Sequence, residues 1–254
     1  MRTLALIDGN SIAYRAFYAL PDDLATRSGQ ITNAVFGFTR MLVRLLKDHH
    51  PDAMAVAWDV SRQTFRTDTY PEYKAQREKA PDHFRSQLPL MDEVLQALEI
   101  TQLRMEGYEA DDIIASLTRQ AVDQGWEVLV VTGDRDAFQL VGGPVKVVYT
   151  RRGISDVIIA DEGYVEERYG IGPSQYVEYA ALRGDSSDNL PGVPGVGEKT
   201  ASRLIAEHGS VEGVYQAITD MTPKLMENLA EHREQVFLNR QLMRLVDDLD
   251  VGPV

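Results

Sequence analysis

The sequence predicts an α/β protein with a doubly wound, mostly parallel central sheet flanked by helices, followed by a mainly helical C-terminal region. Three apolar runs bounded by polar turns carry this prediction. They are TLALI at 3–7, AMAVAW at 53–58 and EVLVVT at 127–132. Each run is apolar on both faces, which suits parallel strands that helices cover on either side.

The segments between these runs have helical periodicity, with apolar residues repeating every three or four positions. In the first of them, residues 32–46, the repeating residues are Val35, Phe36, Thr39, Leu42, Val43 and Leu46. A second helix follows the stretch GYEADDII at 107–114. We therefore expect an α/β core at residues 1–160 and a helical region at 161–254, with a Gly/Pro-rich break at NLPGVPGVGEK.

Composition limits the function classes. The chain has 254 residues, 44% of them hydrophobic, which suffices for a sizeable core. The absence of cysteine excludes disulfides, a thiolate nucleophile and a cysteine zinc site. Without a signal-peptide pattern or a long apolar run, we expect a protein of the bacterial cytoplasm with no membrane partner, monomeric by default. The net charge of −13 argues against a polyanionic partner unless many of the acids face metal ions.

Acidic residues follow the three predicted strands at the point where each strand ends. They are Asp8 after the first strand, Asp59 after the second, and Asp134 and Asp136 after the third. Because the carboxyl ends of parallel strands meet at one edge of a sheet, where ligand crevices form, we expect these acids to converge. Two further acidic groups are Glu109, Asp111 and Asp112 at the start of the second helix, and Asp185 and Asp188 in RGDSSDNLPG.

So many like charges need a counter-charge. A helix N-terminus stabilises an acid by only about 0.3–1 kcal/mol, whereas one like-charge pair at ~4 Å costs roughly 4 kcal/mol at an effective dielectric constant near 20. Taken singly, these acids are also typical of helix caps and turns, so the prediction depends on their convergence. Oxygen ligands without Cys or a His cluster favour Mg²⁺ or Mn²⁺ over zinc, and we expect at least two such ions. Paired ions of this kind are typical of enzymes that hydrolyse phosphoesters.

Residues 61–85 differ in composition from the rest of the chain. Basic and aromatic residues alternate there, and the apolar stripe of a packed helix is nearly absent. We therefore expect this segment to project from the globule. Two interpretations remain open: a solvated surface helix, or a surface that grips single-stranded nucleic acid through charge and base stacking.

The stretch GVPGVGEKTA places Gly192, Gly195 and Gly197 before an amphipathic helix. Closely spaced glycines let backbone N–H groups approach a phosphate, and the helix N-terminus adds a favourable dipole. With Lys199 and Thr200 in the first turn, the pattern predicts a helix-hairpin-helix that holds a DNA duplex by its backbone. A tight interhelical turn without a ligand is the alternative.

Together these motifs resemble the 5′ nucleases, a family that includes bacterial 5′-3′ exonucleases, flap endonucleases and the N-terminal nuclease domain of bacterial DNA polymerase I. The resemblance spans nearly the whole chain. The matching motifs are DGNSIAYRAFYALP at 8–21, TNAVFGF at 32–38, AWDVSRQTFR at 57–66, YPEYKAQR at 70–77, GYEADDIIA at 107–115, VVTGDRDAFQL at 130–140 and ALRGDSSDNLPGVPGVGEKTA at 181–201.

The resemblance implies a role for individual residues. The family's first metal site matches Asp8, Asp59, Glu109 and Asp111, with Asp112 binding through water, and its second matches Asp134, Asp136, Asp185 and Asp188. Arg15 and Lys74 match basic residues that contact the scissile phosphate. Tyr73 matches a position near the displaced base, and Arg77 one on a helical arch at about 61–90. The hairpin at about 185–208 matches a helix-hairpin-helix that also binds K⁺.

The implied activity is that of a metal-dependent 5′-flap endonuclease and 5′-3′ exonuclease with a PIN-like core. Such an enzyme hydrolyses DNA phosphodiesters at single-strand/duplex junctions and removes flaps and RNA primers. Its implied partners are DNA with a 5′ flap, nick or gap, a DNA polymerase and a ligase. Because the chain ends without a polymerase module, we interpret it as a stand-alone paralogue rather than an excised domain.

Two alternatives remain. One is a phosphatase of the haloacid-dehalogenase type, since GDRDA resembles the Asp-x-Asp motif of that family, although the family needs the pair directly after its first strand. The other is a junction-binding module without enzymatic activity, whose acids bind a structural metal ion.

Overall fold

The computed structural model of the chain describes residues 2–153 and 156–252, so the outermost positions of the predicted ranges 1–160 and 161–254 lie outside the described residues. One six-stranded sheet forms the centre, in the order β3-β2-β1-β4-β5-β6. Its strands are β1 Thr3–Asp8, β2 Ala53–Trp58, β3 Thr101–Arg104, β4 Glu127–Thr132, β5 Val145–Arg152 and β6 Asp156–Ala160. All neighbours pair in parallel except β5 and β6, which are antiparallel.

The sheet confirms the predicted fold class. The three predicted strands are β1, β2 and β4, and they are the three central neighbours of the sheet. The structure adds β3, β5 and β6, which the apolar runs did not identify. β3 is the sequence TQLR, which has one apolar residue and no buried one, so it carries almost no hydrophobic signal.

The two faces of β1 are buried by different helices, because successive side chains of a strand point to opposite faces. Leu4 and Leu6 belong to one hydrophobic cluster, together with Ile113 and Leu117. Ala5 and Ile7 belong to the other cluster, with Ile12 and Phe38. The helices of this part are α1 Gly9–Ala19, α2 Asn33–His49, α3 Phe65–Thr69, α4 Asp82–Arg85, α5 Leu88–Ala97 and α6 Ala110–Asp123.

The helix predicted at 32–46 is α2, but its buried face differs from the predicted stripe. Phe38 and Leu42 are buried against β1 and α1, whereas Phe36 and Val43 are 46% and 40% exposed. Counting apolar residues at mixed spacing did not distinguish these two faces, since both carry large hydrophobic side chains.

The segment 61–85 packs against the globule, contrary to the prediction that it projects as a helical arch. Only α3 and α4 are helical, and turns and irregular backbone connect them between residues 70 and 81. Arg66, Tyr73 and Phe84 are buried, and the Phe84 ring stacks on Tyr14 with 4.2 Å between ring centroids. A few specific polar and aromatic contacts therefore replace the missing apolar stripe.

The C-terminal part is helical, as expected. Its helices are α7 Glu162–Tyr169, α8 Tyr176–Arg183, α9 Glu198–His208, α10 Val211–Gln216, α11 Pro223–Glu231 and α12 Arg233–Met243. Helix α8 is buried along most of its length between α9 and α12. Among the helices of residues 2–153 and 156–252, none has the length and apolar character needed to cross a membrane.

Candidate active site

The carboxyl edge of the sheet brings Asp8 and Asp134 together through Thr132. Asp8 ends β1 and caps α1, since its Oδ1 accepts a hydrogen bond from the Ser11 backbone N–H at 2.9 Å. The Thr132 hydroxyl, at the end of β4, donates to Oδ2 of Asp8 at 2.8 Å. The same hydroxyl accepts the backbone N–H of Asp134 at 3.0 Å. Thr132 thus holds two strand ends at a fixed distance.

The end of β2 is joined to the start of α6 in a similar way. Asp59 remains exposed, and its Oδ1 accepts the backbone N–H of Ala110, the first residue of α6, at 2.7 Å. Glu109 is the residue before α6 and caps that helix. The predicted convergence of acids from the ends of β1, β2 and β4 with the start of α6 is therefore present.

Five of the nine predicted acids have no positively charged side chain within 4 Å among the described residues: Asp8, Asp59, Asp111, Asp134 and Asp136. Asp8, Asp111, Asp134 and Asp136 have a raised pKa, with burial as the largest cause. Burial, followed by the charges of Asp59 and Asp134, raises the pKa of Asp8 to about 7. Burial and the charge of Asp134 also raise the pKa of Asp111 and Asp136 well above their usual range.

The raised pKa values are consistent with a site that lacks positive charge near its buried carboxylates. In the parts of the chain that the structure describes, no group of three or more His, Asp or Glu side chains is arranged to hold a metal ion as it stands. The donor chemistry nevertheless fits a hard divalent cation, because the clustered groups are all carboxylates and five of them have no cationic partner.

Lysine and arginine side chains pair with other acids of the cluster. Lys74 Nζ lies 2.8 Å from Glu109 Oε1 and 3.8 Å from Asp188. Arg77 Nη2 lies 2.6 Å from Asp188 Oδ1. Lys74 has a φ of 53°, a left-handed conformation that is costly for a residue with a side chain. Its backbone N–H donates to the Asp188 carbonyl at 2.9 Å, which helps to hold this conformation.

Tyr73 is buried rather than available to a displaced base. Its hydroxyl donates to Asp188 Oδ2 at 3.0 Å and lies 3.2 Å from Glu109 Oε2. Since the ring is only 5% exposed, it cannot stack on a nucleotide in this conformation. Tyr73 instead links α6 to the loop that carries Asp188.

Asp112 has a different role from the predicted water-mediated metal ligand. Its carboxylate accepts Arg66 Nη1 at 2.6 Å and Nη2 at 2.7 Å, and also the backbone N–H groups of Glu109 at 3.0 Å and Val246 at 2.9 Å. A carboxylate offers about four lone-pair positions, so none remains for a metal ion or its water. Asp112 is completely buried and positions α6, while the metal-site prediction for it is wrong in this conformation.

Arg66 is the main residue that the sequence patterns missed. Besides the pair with Asp112, its Nε donates to the Leu242 carbonyl at 2.6 Å and its Nη2 to the Arg244 carbonyl at 3.3 Å. It therefore ties α3, the start of α6 and the end of α12 together. The available signal was one cation among the six of the polar segment 61–85, with no spacing that relates it to residue 112.

Arg15 lies beside the acids with part of its guanidinium engaged. Its Nη1 donates to the Arg151 carbonyl at 2.9 Å and its Nη2 to the Gly133 carbonyl at 3.0 Å. Gly133 leaves room for this guanidinium, because an added Cβ would lie 1.9 Å from Arg15 Nε and would displace the side chain. Each of the two terminal nitrogens retains a second N–H.

The predicted hairpin lies between α8 and α9. Gly195 has a φ of +80°, which favours glycine, and Gly192 packs so closely that an added Cβ would lie 1.9 Å from the Arg183 carbonyl oxygen. Gly197 caps α9 and faces open space, and Lys199 is exposed in the first turn, beside Thr200. Two asparagines that sequence reasoning missed hold the hairpin: Asn228 Nδ2 donates to the Pro194 carbonyl at 2.7 Å, and Asn239 Nδ2 to the Pro191 carbonyl at 2.9 Å.

A cleft of about 790 Å³ connects the acids to the hairpin. Asp134 and Asp185 lie on its acidic side, and Gly192 and Glu198 on the hairpin side. Asp185 caps a short 3-10 helix, with its Oδ1 accepting the Ser187 backbone N–H at 2.8 Å. A second cleft, of about 1080 Å³, lies between Asp59 and the segment 61–85.

Comparison with protein families gives two matches that together span the described chain. The family model for the 5′-3′ exonuclease N-terminal resolvase-like domain matches residues 3–170. The model for the 5′-3′ exonuclease C-terminal SAM fold matches residues 171–253. The two matches meet within the helical region, ten residues beyond the predicted boundary at 160.

Curated relatives with high identity are bacterial DNA polymerases. DNA polymerase I of Mycobacterium bovis is 53% identical over 251 residues, which is 98% of this chain and 28% of that protein. DNA polymerase I of Bacillus subtilis is 43% identical over the same share of each chain. The chain thus spans little more than a quarter of the length of these relatives.

Solved structures share the fold at lower identity. A structure of T5 5′-exonuclease with divalent zinc ions has a TM-score of 0.77 and 21% identity, covering 96% of this chain and 90% of that one. A bacteriophage T5 flap endonuclease complex with DNA and metal ions has a TM-score of 0.80 and 21% identity, with the same coverage. The catalytic core of Rad2 with a DNA substrate has a TM-score of 0.61 and 18% identity, covering 100% of this chain and 82% of that one.

Proposed function

The chain belongs to the 5′-3′ exonuclease family, and we propose that it is a structure-specific 5′ nuclease that hydrolyses DNA phosphodiesters at single-strand/duplex junctions. The observation that carries this proposal is the set of five carboxylates without cationic partners at one sheet edge. Flap cutting and the removal of RNA primers belong to the same proposal. They are supported by the relatives, which are DNA polymerase I proteins, and by the structural neighbours solved with DNA.

We assign the binding of two or more divalent ions, Mg²⁺ or Mn²⁺, to the carboxylate cluster. The residues that would hold them are Asp8, Asp59, Glu109, Asp111, Asp134, Asp136, Asp185 and Asp188, without Asp112. Divalent ions bound there supply Lewis acidity, which lowers the pKa of water and neutralises charge on the phosphate oxygens. The family's structural neighbours were solved with divalent ions, which supports this assignment.

Basic residues at the rim of the cluster are proposed to bind the phosphate that is cut. Lys74 lies within 4 Å of Glu109 and Asp188, so its ammonium is already next to the acids. Arg15 keeps free N–H groups while two backbone carbonyls hold its orientation. Cations fixed in this way stabilise charge that develops on the phosphate, because they need no rearrangement during the reaction.

The second cleft fits a single strand that enters next to Asp59. It is lined by the aromatic rings of Tyr14 and Tyr18 and by Lys74 and Arg77. Tyr18 is 70% exposed, which leaves a ring available for base stacking. We assign the free 5′ strand to this cleft.

The hairpin is proposed to hold the duplex by its backbone. The exposed backbone at Gly195 and Gly197, with Lys199 and Thr200 in the first turn of α9, offers N–H groups and a positive charge to phosphates. Carbonyls of the same turn offer ligands to K⁺. In this proposal residues 1–160 carry most of the acids of the metal site, and residues 161–254 add Asp185 and Asp188 and hold the duplex.

The relatives support a proposal about partners and location. A DNA polymerase, in the same or another chain, would generate the flap, and a ligase would seal the product nick. We propose action as a monomer in the bacterial cytoplasm, which is supported by relatives that are bacterial DNA polymerase I proteins.

The test is a substrate panel with the full chain. Labelled 5′-flap, nicked, blunt and RNA-primed duplexes are incubated with Mg²⁺ or Mn²⁺, and the products are mapped. Cleavage near the junction with 5′-phosphate products is expected, whereas binding without cleavage would support a junction-binding module instead. Activity on a small phosphomonoester with none on flap DNA would support the phosphatase alternative and reject the proposal.

A further inference from the structure

Three arginines from different elements surround the carboxylate of Glu198, the first residue of α9. Arg168 Nη2 lies 3.3 Å from Glu198 Oε2, Arg135 Nη1 lies 3.7 Å from Oε1, and Arg183 Nη1 lies 4.0 Å from Oε1. Arg135 belongs to the turn after β4, Arg168 to α7 and Arg183 to the end of α8. The fold therefore concentrates guanidinium groups at one point of a chain whose net charge is −13.

One carboxylate cannot satisfy this cluster. Only the Arg168 pair is short enough for a hydrogen bond, and the other two pairs are long. Arg135 and Arg168 are 46% and 45% exposed, so their unused N–H groups face solvent. A backbone phosphodiester has two unesterified oxygens and one negative charge, as a carboxylate has, and it matches the arginine fork well. The cluster therefore has N–H groups left over for a phosphodiester.

The position of Glu198 fits a backbone that runs from the hairpin to the acids. On one side of it lies the cleft of about 790 Å³ that contains Arg135, Arg183 and Asp134. On the other side lies a cleft of about 440 Å³ lined by Arg168, Lys199 and Arg203. Arg135 also stands between Asp134 and Asp136 in the sequence, so a phosphate bound to it lies beside the acidic cluster.

We propose that Arg135, Arg168 and Arg183 form a phosphate site for the nucleic-acid backbone, and that the Glu198 carboxylate occupies this site in the free protein. The inference rests on the proposed function, since it concerns where the same DNA substrate is held. A backbone phosphate has to displace the Glu198 carboxylate before it can bind. Because this internal acid competes with the DNA, it lowers the apparent affinity of the protein for DNA. Glu198 thus limits non-specific adhesion to DNA.

The test measures binding of a fluorescein-labelled blunt DNA duplex in Ca²⁺ buffer at several KCl concentrations. Glu198→Gln removes the competing charge and keeps the size of the side chain, so we expect affinity to rise by about 3- to 10-fold. Arg168→Ala should weaken binding and reduce the slope of log affinity against log salt by about 0.9, as for one lost phosphate contact. The affinity of Arg168→Lys for the duplex should lie between the affinities of the parent and of Arg168→Ala. This variant also tests the contact if the alanine variant fails to fold.

The matched control is Arg119→Ala. Arg119 pairs with Asp247 at the same 3.3 Å and is similarly exposed, but it lies outside both clefts. Its removal should leave affinity and salt slope unchanged.

Three results would overturn the inference. Unchanged or weaker binding by Glu198→Gln would show that the acid merely orients the arginines, and equal behaviour of Arg168→Ala and Arg119→Ala would exclude the phosphate contact. A parent protein that binds no DNA would overturn both this inference and the proposed function. A parent that binds and cuts flap DNA, combined with unchanged binding by Glu198→Gln, would reject the inference alone.

Discussion

Arg66 and Asp112 form a completely buried bidentate ion pair, with Nη1 to Oδ2 at 2.6 Å and Nη2 to Oδ1 at 2.7 Å. The pair joins α3 to the first turn of α6, and Arg66 extends it to the end of α12. Because α6 begins beside Glu109, this interaction positions the acidic edge without itself facing the substrate.

Replacing Arg66 by methionine should destabilise the protein by about 3–5 kcal/mol, because it leaves the buried Asp112 charge without its partner. Urea unfolding measures this free energy. The control is Arg104→Ala, which breaks an exposed pair with Asp92 and should cost less than about 1 kcal/mol. Equal costs for the two variants would contradict the role assigned to Arg66.

Asp134→Asn should lower the rate of flap cleavage by more than about 100-fold while duplex binding persists, because it removes a proposed metal ligand worth several kcal/mol. The asparagine Oδ1 can still accept the Asp136 backbone N–H, which lies 2.9 Å away in the parent. Single-turnover cleavage and fluorescence anisotropy are the measurements. Asp161→Asn, which changes an exposed helix cap outside the cluster, is the control. Parent-like turnover by Asp134→Asn would refute the assignment.

Lys74→Ala should slow the chemical step by about 10- to 100-fold and weaken binding much less, since Lys74 is proposed to stabilise charge in the transition state. Single-turnover rates at saturating enzyme separate the two effects. Lys146, which is exposed on β5 and lies outside both clefts, provides the control variant Lys146→Ala. Equal single-turnover rates for the Lys74 variant and the parent would exclude this role.

Asp8→Asn should stabilise the metal-free protein at pH 8. Burial and the neighbouring Asp59 and Asp134 charges raise the pKa of Asp8 from 3.8 to about 7 in the folded state, so ionising it above that pH opposes folding. This cost is absent below about pH 4, grows as the pH rises and is complete above pH 7. In EDTA at pH 8, the melting temperature of the variant should exceed that of the parent by several degrees, since 1 kcal/mol corresponds to about 2–4 °C for a chain of this size. At pH 5 the difference in melting temperature should be smaller.

Mn²⁺ should reverse this order at pH 8, because the parent has the additional ligand and gains more from the ion. If Asp8→Asn raised the melting temperature in EDTA equally at pH 5 and pH 8, ionisation of Asp8 would not be the cause of the stabilisation.

Gly192→Ala should destabilise the hairpin by about 1–3 kcal/mol or more, because the new Cβ would lie 1.9 Å from the Arg183 carbonyl oxygen. Duplex affinity should fall with it. Gly172→Ala is the matched control, since it lies outside the hairpin and the nearest atom to its added Cβ, Gln175 Oε1, is at an ordinary contact distance of 3.9 Å. Thermal melting and anisotropy together test the pair, and equal stability of both variants would contradict the packing.

The sequence predicted which acids meet at the carboxyl edge of the sheet, but it did not predict the side-chain contacts that hold them there. Strands β1, β2 and β4 carry uninterrupted apolar runs, and parallel order then brings Asp8, Asp59 and Asp134 to one edge. β3 is short and half exposed, so hydrophobicity alone could not reveal it.

The partner of Asp112 could not be predicted because Arg66 reaches it across 46 residues, and no local pattern encodes such a distance. The sequence also failed to predict that the segment 61–85 packs against the globule, for a related reason. Arg66 and Tyr73 are buried through hydrogen bonds rather than through an apolar stripe, and periodicity detects only the latter.

The parallel pairing of β1 with β4 joins Thr3 to Glu127 and Leu4 to Val128, so the central contact of the sheet spans almost half the chain. Such distant pairing forms slowly, since a long loop must close before any of its contacts stabilise it. During synthesis on the ribosome, Asp8 emerges early and then waits for β4, and Asp188 arrives later still. The acids of the proposed metal site therefore come together only after β4 has been translated, and the site gains Asp188 only after a further stretch of chain has followed.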